Sequence, residues 1–121
     1  MATISDSTVF FQQALWLYGP EKEITEVGAM NLFCFFDHGG NRRELVTSGL
    51  ESGLVLPGIT RRSVLELARQ WGEFEVNERK LTMDEVLQGA SSGTLVEMFG
   101  TGTFLCKTHY FLIPIHMLLL N

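Results

Sequence analysis

Seven residues constrain this chain's fold more than any others. Met30 to Phe36 carries Leu32, Phe33, Phe35 and Phe36 with little polar interruption. Strand side chains alternate between two faces, so large apolar residues at both parities describe a strand buried on both sides. Asp37-His38-Gly39-Gly40-Asn41 follows as a turn, and Arg42 to Thr47 reads as the return strand of a hairpin. Upstream, Gln13 to Tyr18 is an apolar run with Trp16 and Tyr18 and reads as a strand, punctuated by Gly19-Pro20-Glu21-Lys22. Ile24 to Val27 is extended and ends at Gly28. The 121 residues, 45% hydrophobic and 19% charged, suit one small globular domain with a modest core.

Downstream the period changes. Val64, Leu65, Ala68 and Trp71, with Leu67 beside them, lie at helical spacing and predict a helix from about Arg61 to Trp71, stopped by Gly72. Phe74 to Arg79 alternates apolar with charged residues, as a half-buried strand does. Thr82-Met83-Asp84-Glu85 has the form of a capping box, Thr82 capping and Glu85 reaching back. It opens a short helix that stops near Gly89, with Ala90 to Gly93 as loop. Leu95 to Phe99 is strand-like and feeds Gly100-Thr101-Gly102-Thr103. This order predicts a mixed α/β (α+β) fold with antiparallel content; a doubly wound parallel sheet fits less well.

The two ends read differently. Met1 to Thr8 is small and polar, a frayed end with the marks of neither a secretory signal nor an Arg-rich transit peptide. Tyr110 to Leu120 is almost wholly apolar, too short to span a bilayer and broken by Pro114. It reads as a buried strand, an interface segment or a tail that folds poorly.

A net charge of -5 gives no footprint for nucleic acid. Cys34 and Cys106 form neither a metal pair nor a disulfide framework, which favours a reducing compartment. Cys34, in the aromatic strand, reads as a core residue, and Cys106 has no local signal for a lowered pKa. His38, His109 and His116 are scattered, and none is assigned as ligand or base. No metal cluster and no serine-nucleophile motif is visible. Arg42, Arg43, Arg61, Arg62 and Arg69 are mixed with acids and read mostly as solvated surface.

The candidate chemistry sits at Leu56-Pro57-Gly58-Ile59-Thr60-Arg61-Arg62. A Pro57-Gly58 turn runs into the helix, whose first amides lack internal acceptors and whose dipole favours an anion such as phosphate. Gly58 lets the backbone approach a bound group, Thr60 adds a hydroxyl, and Arg61 and Arg62 add charge. The plain alternative is a loop-to-helix junction with Thr60 as N-cap. Gly100 to Thr103 is a second candidate amide site, and two such sites could converge on one phosphate. Glu26, amid apolar neighbours, is either half-exposed and idle or buried with a cationic partner.

Together these stretches resemble the branched-chain aminotransferases, pyridoxal-phosphate enzymes of fold type IV. The matching motifs are Leu15-Trp16-Leu17-Tyr18-Gly19, Ile24-Thr25-Glu26-Val27-Gly28 with Met30-Asn31-Leu32-Phe33, Leu56-Pro57-Gly58-Ile59-Thr60-Arg61, Gln70-Trp71-Gly72-Glu73-Phe74, and Glu97-Met98-Phe99-Gly100 through Thr103. The animal cytosolic form looks closest. The resemblance implies a partial large domain over residues 12–103, a mixed sheet or pseudo-barrel with flanking helices, between non-matching ends at 1–11 and 104–121.

It also implies roles. Glu26 would pair with the cofactor's pyridine nitrogen, keeping it protonated so that the ring accepts electrons. Leu56 would pack on the ring face, and the start of the helix at Gly58, Ile59 and Thr60 would hold the phosphate. Thr103 would add a second phosphate contact, its amide facing the substrate carboxylate. Ala29 stands where many members have threonine, and Phe104 replaces a small alanine beside the carboxylate site.

The Schiff-base lysine of the family lies upstream of the Glu26 motif, and Lys22 does not match it; Lys22, Lys80 and Lys107 are the lysines that a trapping experiment would have to exclude. The phosphate-gripping arginine and the substrate-side tyrosine would also lie upstream. The implied protein transfers the amino group of leucine, isoleucine or valine to 2-oxoglutarate, in the cytoplasm or alternatively in mitochondria, as a dimer. This chain alone would be an inactive, truncated form. The alternative is a non-catalytic interaction form, its aromatic strands exposed, that pairs with itself or with a full-length subunit. The last alternative is a small anion-binding module unrelated to the family.

Overall fold

The strand with apolar residues at both parities, β4 (Met30–Gly39), has partners along both edges. The structure, a computed structural model, describes residues 2–5, 12–104 and 107–113. β5 (Arg42–Thr47) returns antiparallel along one edge and β7 (Leu95–Phe104) runs antiparallel along the other, so Phe33 stands opposite Thr47 on one side and Phe99 on the other. At the start of β4, Asn31 lies opposite Glu26 of β3 (Glu23–Val27) and Thr101 of β7. β3 and β5 therefore occupy successive stretches of one edge. Two buried hydroxyls seal their junction: Thr47 donates to the Leu32 carbonyl at 2.6 Å and Ser48 to the Ile24 carbonyl at 2.7 Å.

β2 (Gln12–Tyr18) extends the sheet beyond β3, and β1 (Ala2–Ser5) beyond β2. β8 (Lys107–Leu112) extends it beyond β7. The crossover helix α1 (Ile59–Trp71) joins β5 to β6 (Glu75–Glu78), which pairs with β5 in parallel. The result is an eight-stranded mixed sheet. This is the mixed sheet with flanking helices that the resemblance implies.

Alternation along β4 creates two cores. Phe33 and Phe35 face α1 with Leu45, Leu65, Ala68, Phe74 and Phe99. Phe33 stacks on Phe99 with ring centroids 5.2 Å apart, and Phe35 meets the Phe74 ring edge-on at 5.1 Å. Leu32, Cys34 and Phe36 face the other way, onto Val46, Met98 and α2 (Met83–Ser92) through Val86. Each buried Phe contributes about 2–3 kcal/mol of apolar transfer. Burial also pushes the Cys34 thiol well above its ordinary pKa, as befits a core residue.

Several boundaries differ from the sequence reading, each for a physical reason. The residues of the proposed frayed end include β1, which pairs with Gln12 to Leu15. β4 continues through a bulge between Asp37 and Gly39, so the hairpin turn is Gly40-Asn41, both left-handed as a type I′ turn requires. The N-cap of α1 is Gly58, not Thr60, which is already helical. α2 runs past Gly89 to Ser92 and ends at Gly93. Gly89 is a packing position: a Cβ there would stand 2.9 Å from Phe36 Cε1 and 3.1 Å from Leu95 Cβ. The Thr82 hydroxyl accepts from the Glu85 amide at 3.3 Å, but the Glu85 carboxylate turns to Arg79 Nη1 at 2.8 and 2.9 Å, a charge-assisted pair stronger than the backbone bond of a capping box. β7 runs on past Phe99 through Gly100 to Thr103, which pair with β8. β8 includes Tyr110 to Leu112 of the apolar tail; Cys106 and residues 114–121 lie outside the described residues. Of the β4 aromatics, Phe33 and Phe36 are buried and Phe35 is half-buried.

Arg79 also grips Glu44, a buried carboxylate at the start of β5. Arg79 Nε lies 3.0 Å from Oε2 and Nη2 3.1 Å from Oε1; Asn77 donates to Oε2 at 2.6 Å, and His38 Nε2 is 2.9 Å from Oε1. Burial pushes the Glu44 carboxyl up, but the hydrogen bonds from Arg79, His38 and Asn77 outweigh it and hold the pKa at about 2.

A carboxyl with a depressed folded pKa stabilises above the ordinary carboxylate range and loses that contribution as pH falls through its folded pKa. Urea unfolding between pH 5 and pH 2 should therefore show stability falling by about 2–3 kcal/mol, and Glu44→Gln should flatten that dependence. Gly89→Ala, although it raises helix propensity, should lower stability by about 1–3 kcal/mol in the same assay, because neither Phe36 nor the β7 backbone can retreat.

Candidate functional site

Glu26, Asn31 and Thr101 stand directly opposite one another across β3, β4 and β7. Opposed residues share a face, so their side chains form a row on the α1 side of the sheet. The segment entering α1 is tied to that row. Asn31 Nδ2 donates to the Leu56 carbonyl at 2.8 Å, and Glu26 Oε2 accepts the Leu56 amide at 3.2 Å. Both polar groups of Leu56 are held, while its side chain stays 70% exposed and that of Ile59 81% exposed. Gly58 closes the approach: a Cβ there would stand 2.4 Å from Asn31 Oδ1. The backbone is thus fixed while its apolar side chains are offered outward.

The end of α1 favours an anion. The first intrahelical bond runs from the Arg62 amide to the Gly58 carbonyl at 3.1 Å, and the amides of the first turn precede it. That turn contains no acidic residue. The charge of Arg61, expected at this site and on the surface, is elsewhere. Arg61 is buried, donating to the Ser48 carbonyl at 2.9 Å and to Glu78 Oε1 at 2.6 Å. Glu78 also binds Arg69 at 3.1 Å, and the hydrogen bond from Arg61 is the main reason its carboxyl is held below its ordinary range. Arg62 pairs with Glu66 one helical turn on, at 3.1 Å on the surface. The positive potential at Gly58 comes from the helix end itself.

The second glycine-containing stretch, Gly100 to Thr103, packs against the end of β3 and the start of β4. A Cβ on Gly100 would lie 2.9 Å from Val27 Cγ1, and one on Gly102 3.2 Å from Met30 Cγ. These glycines let β7 pack against the β3–β4 turn, Gly28-Ala29, in which Ala29 is exposed. Thr101 between them is 1% exposed, and its Oγ1 has no partner among the described residues. Thr103 and Phe104 continue β7, opposite Thr108 and Lys107; the side chains of all four lie outside the description. Glu26 is half-buried, and its hydrogen bond among the described residues is the one to Leu56, which leaves Oε1 for a donor from outside. Asn31 and Thr101 went unassigned in the sequence. Counting the register through the two-residue Gly28-Ala29 turn would have placed Asn31 opposite Glu26; no local signal places Thr101.

Lys22 is at the far end of β3, four residues from Glu26 and on the order of 13 Å away. Lys80 is at that same end, paired with Glu21 and 3.8 Å from Glu23. Lys107 is opposite Phe104. No group of His, Cys, Asp or Glu among the described residues could hold a metal.

The family profile described as Amino-transferase class IV matches residues 7–106. The chain belongs to the class IV aminotransferases. It is similar to the cytosolic branched-chain-amino-acid aminotransferase of Caenorhabditis elegans, 53% identical over 92 residues that make up 76% of this chain and 22% of that protein. It is 50% identical to the mitochondrial branched-chain-amino-acid aminotransferase of Bos taurus over 108 residues, 89% of this chain and 26% of that one. The crystal structure of the branched-chain amino acid aminotransferase from Thermobaculum terrenum in its PLP-form superposes with a TM-score of 0.56 at 29% identity, covering 82% of this chain and 28% of that one. The chain spans about a quarter of the length of the curated relatives it matches.

Gly58→Ala should push the Asn31 amide off the Leu56 carbonyl. The expected cost is about 1–2 kcal/mol in chemical unfolding, with faster hydrogen exchange at the Leu56 amide.

Proposed function

We propose that this chain forms the part of a branched-chain-amino-acid transaminase that holds the pyridine nitrogen and the phosphate of pyridoxal phosphate. The observation that carries the reading is the row Glu26, Asn31 and Thr101 set against the acid-free start of α1. An acceptor and an acid-free helix start on one side of the sheet support this reading. The relatives at about 50% identity support the substrate class, leucine, isoleucine or valine with 2-oxoglutarate.

Bound there, pyridoxal phosphate would supply the electron sink that amino-group transfer needs. The residues of this chain bind and orient. Glu26 Oε1 would accept the pyridine N–H while Oε2 stays on the Leu56 amide. The Leu56 side chain packs against the ring. The helix start at Gly58, Ile59 and Thr60 takes the phosphate, and Thr103 adds a second contact. The Thr103 amide, with Ala29 and Phe104, faces the substrate.

Lys22 and Lys80 are at the opposite end of β3 from this row, and the backbone of Lys107 pairs with Phe104 on β8. Titrated with pyridoxal phosphate and followed by absorbance, the 121-residue chain should bind the cofactor reversibly. Borohydride should label no lysine, and leucine with 2-oxoglutarate should give no turnover. Glu26→Ala should weaken cofactor binding by about tenfold, the worth of one charge-assisted hydrogen bond. Turnover by the unsubstituted chain, or a labelled Lys22, Lys80 or Lys107, would refute this assignment.

A further inference from the structure

The segment Leu56-Pro57-Gly58 runs from the carboxylate of Glu26 to the start of α1. Little in it can turn. The Leu56 amide donates to Glu26 Oε2 at 3.2 Å, and the Leu56 carbonyl accepts from Asn31 Nδ2 at 2.8 Å and from the Gly58 amide at 3.0 Å. The bond from Gly58 closes a tight turn with Pro57 at its centre, and the proline ring fixes the torsion on which such a turn depends. The Gly58 carbonyl then accepts the first helical bond, from Arg62 at 3.1 Å. The two anchors differ in strength. The bond from Asn31 is short and part-buried, whereas the bond to Glu26 is longer and open to solvent.

We infer, on the reading of the site proposed above, that this segment couples its two halves: an anion at the start of α1 strengthens the binding of a pyridinium ring at Glu26, and the ring strengthens the binding of the anion. An anion at the helix end fixes the first turn and, through Pro57, the placement of the Leu56 amide. A ring at Glu26 Oε1 excludes water from the weaker bond at Oε2. Either ligand therefore orders the same residues, and the second ligand meets that order already established. Charge acts in the same direction, because an anion and a cationic ring attract.

Thr101 points to a ligand by a separate observation. It stands beside Asn31 in the row on the α1 side, 1% exposed, and its Oγ1 has no partner among the described residues. A buried hydroxyl left in this way is an unmet hydrogen bond at the site itself.

Two probes separate the halves. Inorganic phosphate addresses the helix end alone, and pyridoxine carries the ring without phosphate or aldehyde. In NMR titrations of the 121-residue chain, saturating phosphate should tighten pyridoxine binding about fivefold, and saturating pyridoxine should tighten phosphate binding by the same factor, as linkage requires. Phosphate alone should slow hydrogen exchange at the Leu56 amide. Pro57 is exposed, so Pro57→Gly should keep the fold and the binding of each ligand by itself while removing most of the mutual effect. Binding of both ligands with no mutual effect, or an undiminished effect in Pro57→Gly, overturns the coupling and leaves the assignment of the site standing. Failure of phosphate or of pyridoxine to bind the unsubstituted chain overturns that assignment, and the coupling with it.

Discussion

The structure depends on burying both faces of β4 at once. A strand with Phe33 and Phe35 on one side and Leu32, Cys34 and Phe36 on the other cannot remain at an edge or face water. It recruits β5 and β7 as lateral partners and α1 and α2 as covers. Those four demands set the path of most of the chain. The β5–α1–β6 crossover places the parallel pair, and the return of β7 brings residues far apart in sequence beside the start of β4.

At that start the sheet turns from scaffold to site. Two side chains, Glu26 and Asn31, hold opposite ends of the Leu56 peptide unit. A loop backbone held by side chains of a buried sheet is far better ordered than a loop held by itself, and this order fixes where the first turn of α1 begins. The same clamp explains why large apolar side chains at Leu56 and Ile59 stand exposed: the backbone has been anchored in their place. A class IV aminotransferase needs such a surface, rigid beneath and apolar above.

Ions secure the rest. Arg61 and Arg69 converge on Glu78 to tie α1 to β6, and Arg79 joins Glu44 to Glu85 to tie β5 and β6 to α2. Both knots lie at edges of the cores, where long side chains cover apolar surface and each buried charge has a partner. Removing one partner would strand the other, which costs more than the intact pair contributes.

Read alone, the sequence determined nearly every element: the doubly apolar run of β4, the helical spacing of Val64, Leu65 and Ala68, and the glycine after Trp71. These are local signals, since each records which face of one element meets the core. It also determined the family resemblance, because Glu26 and the Leu56 to Arg61 stretch are contiguous motifs. Tertiary structure alone decided how they meet. Only strand register puts Thr101 beside Asn31, only packing against Phe36 keeps Gly89 inside a helix, and only the Glu78 carboxylate on β6 and the Ser48 carbonyl draw Arg61 into the interior. Each depends on a partner distant in the chain, and no local pattern records a partner.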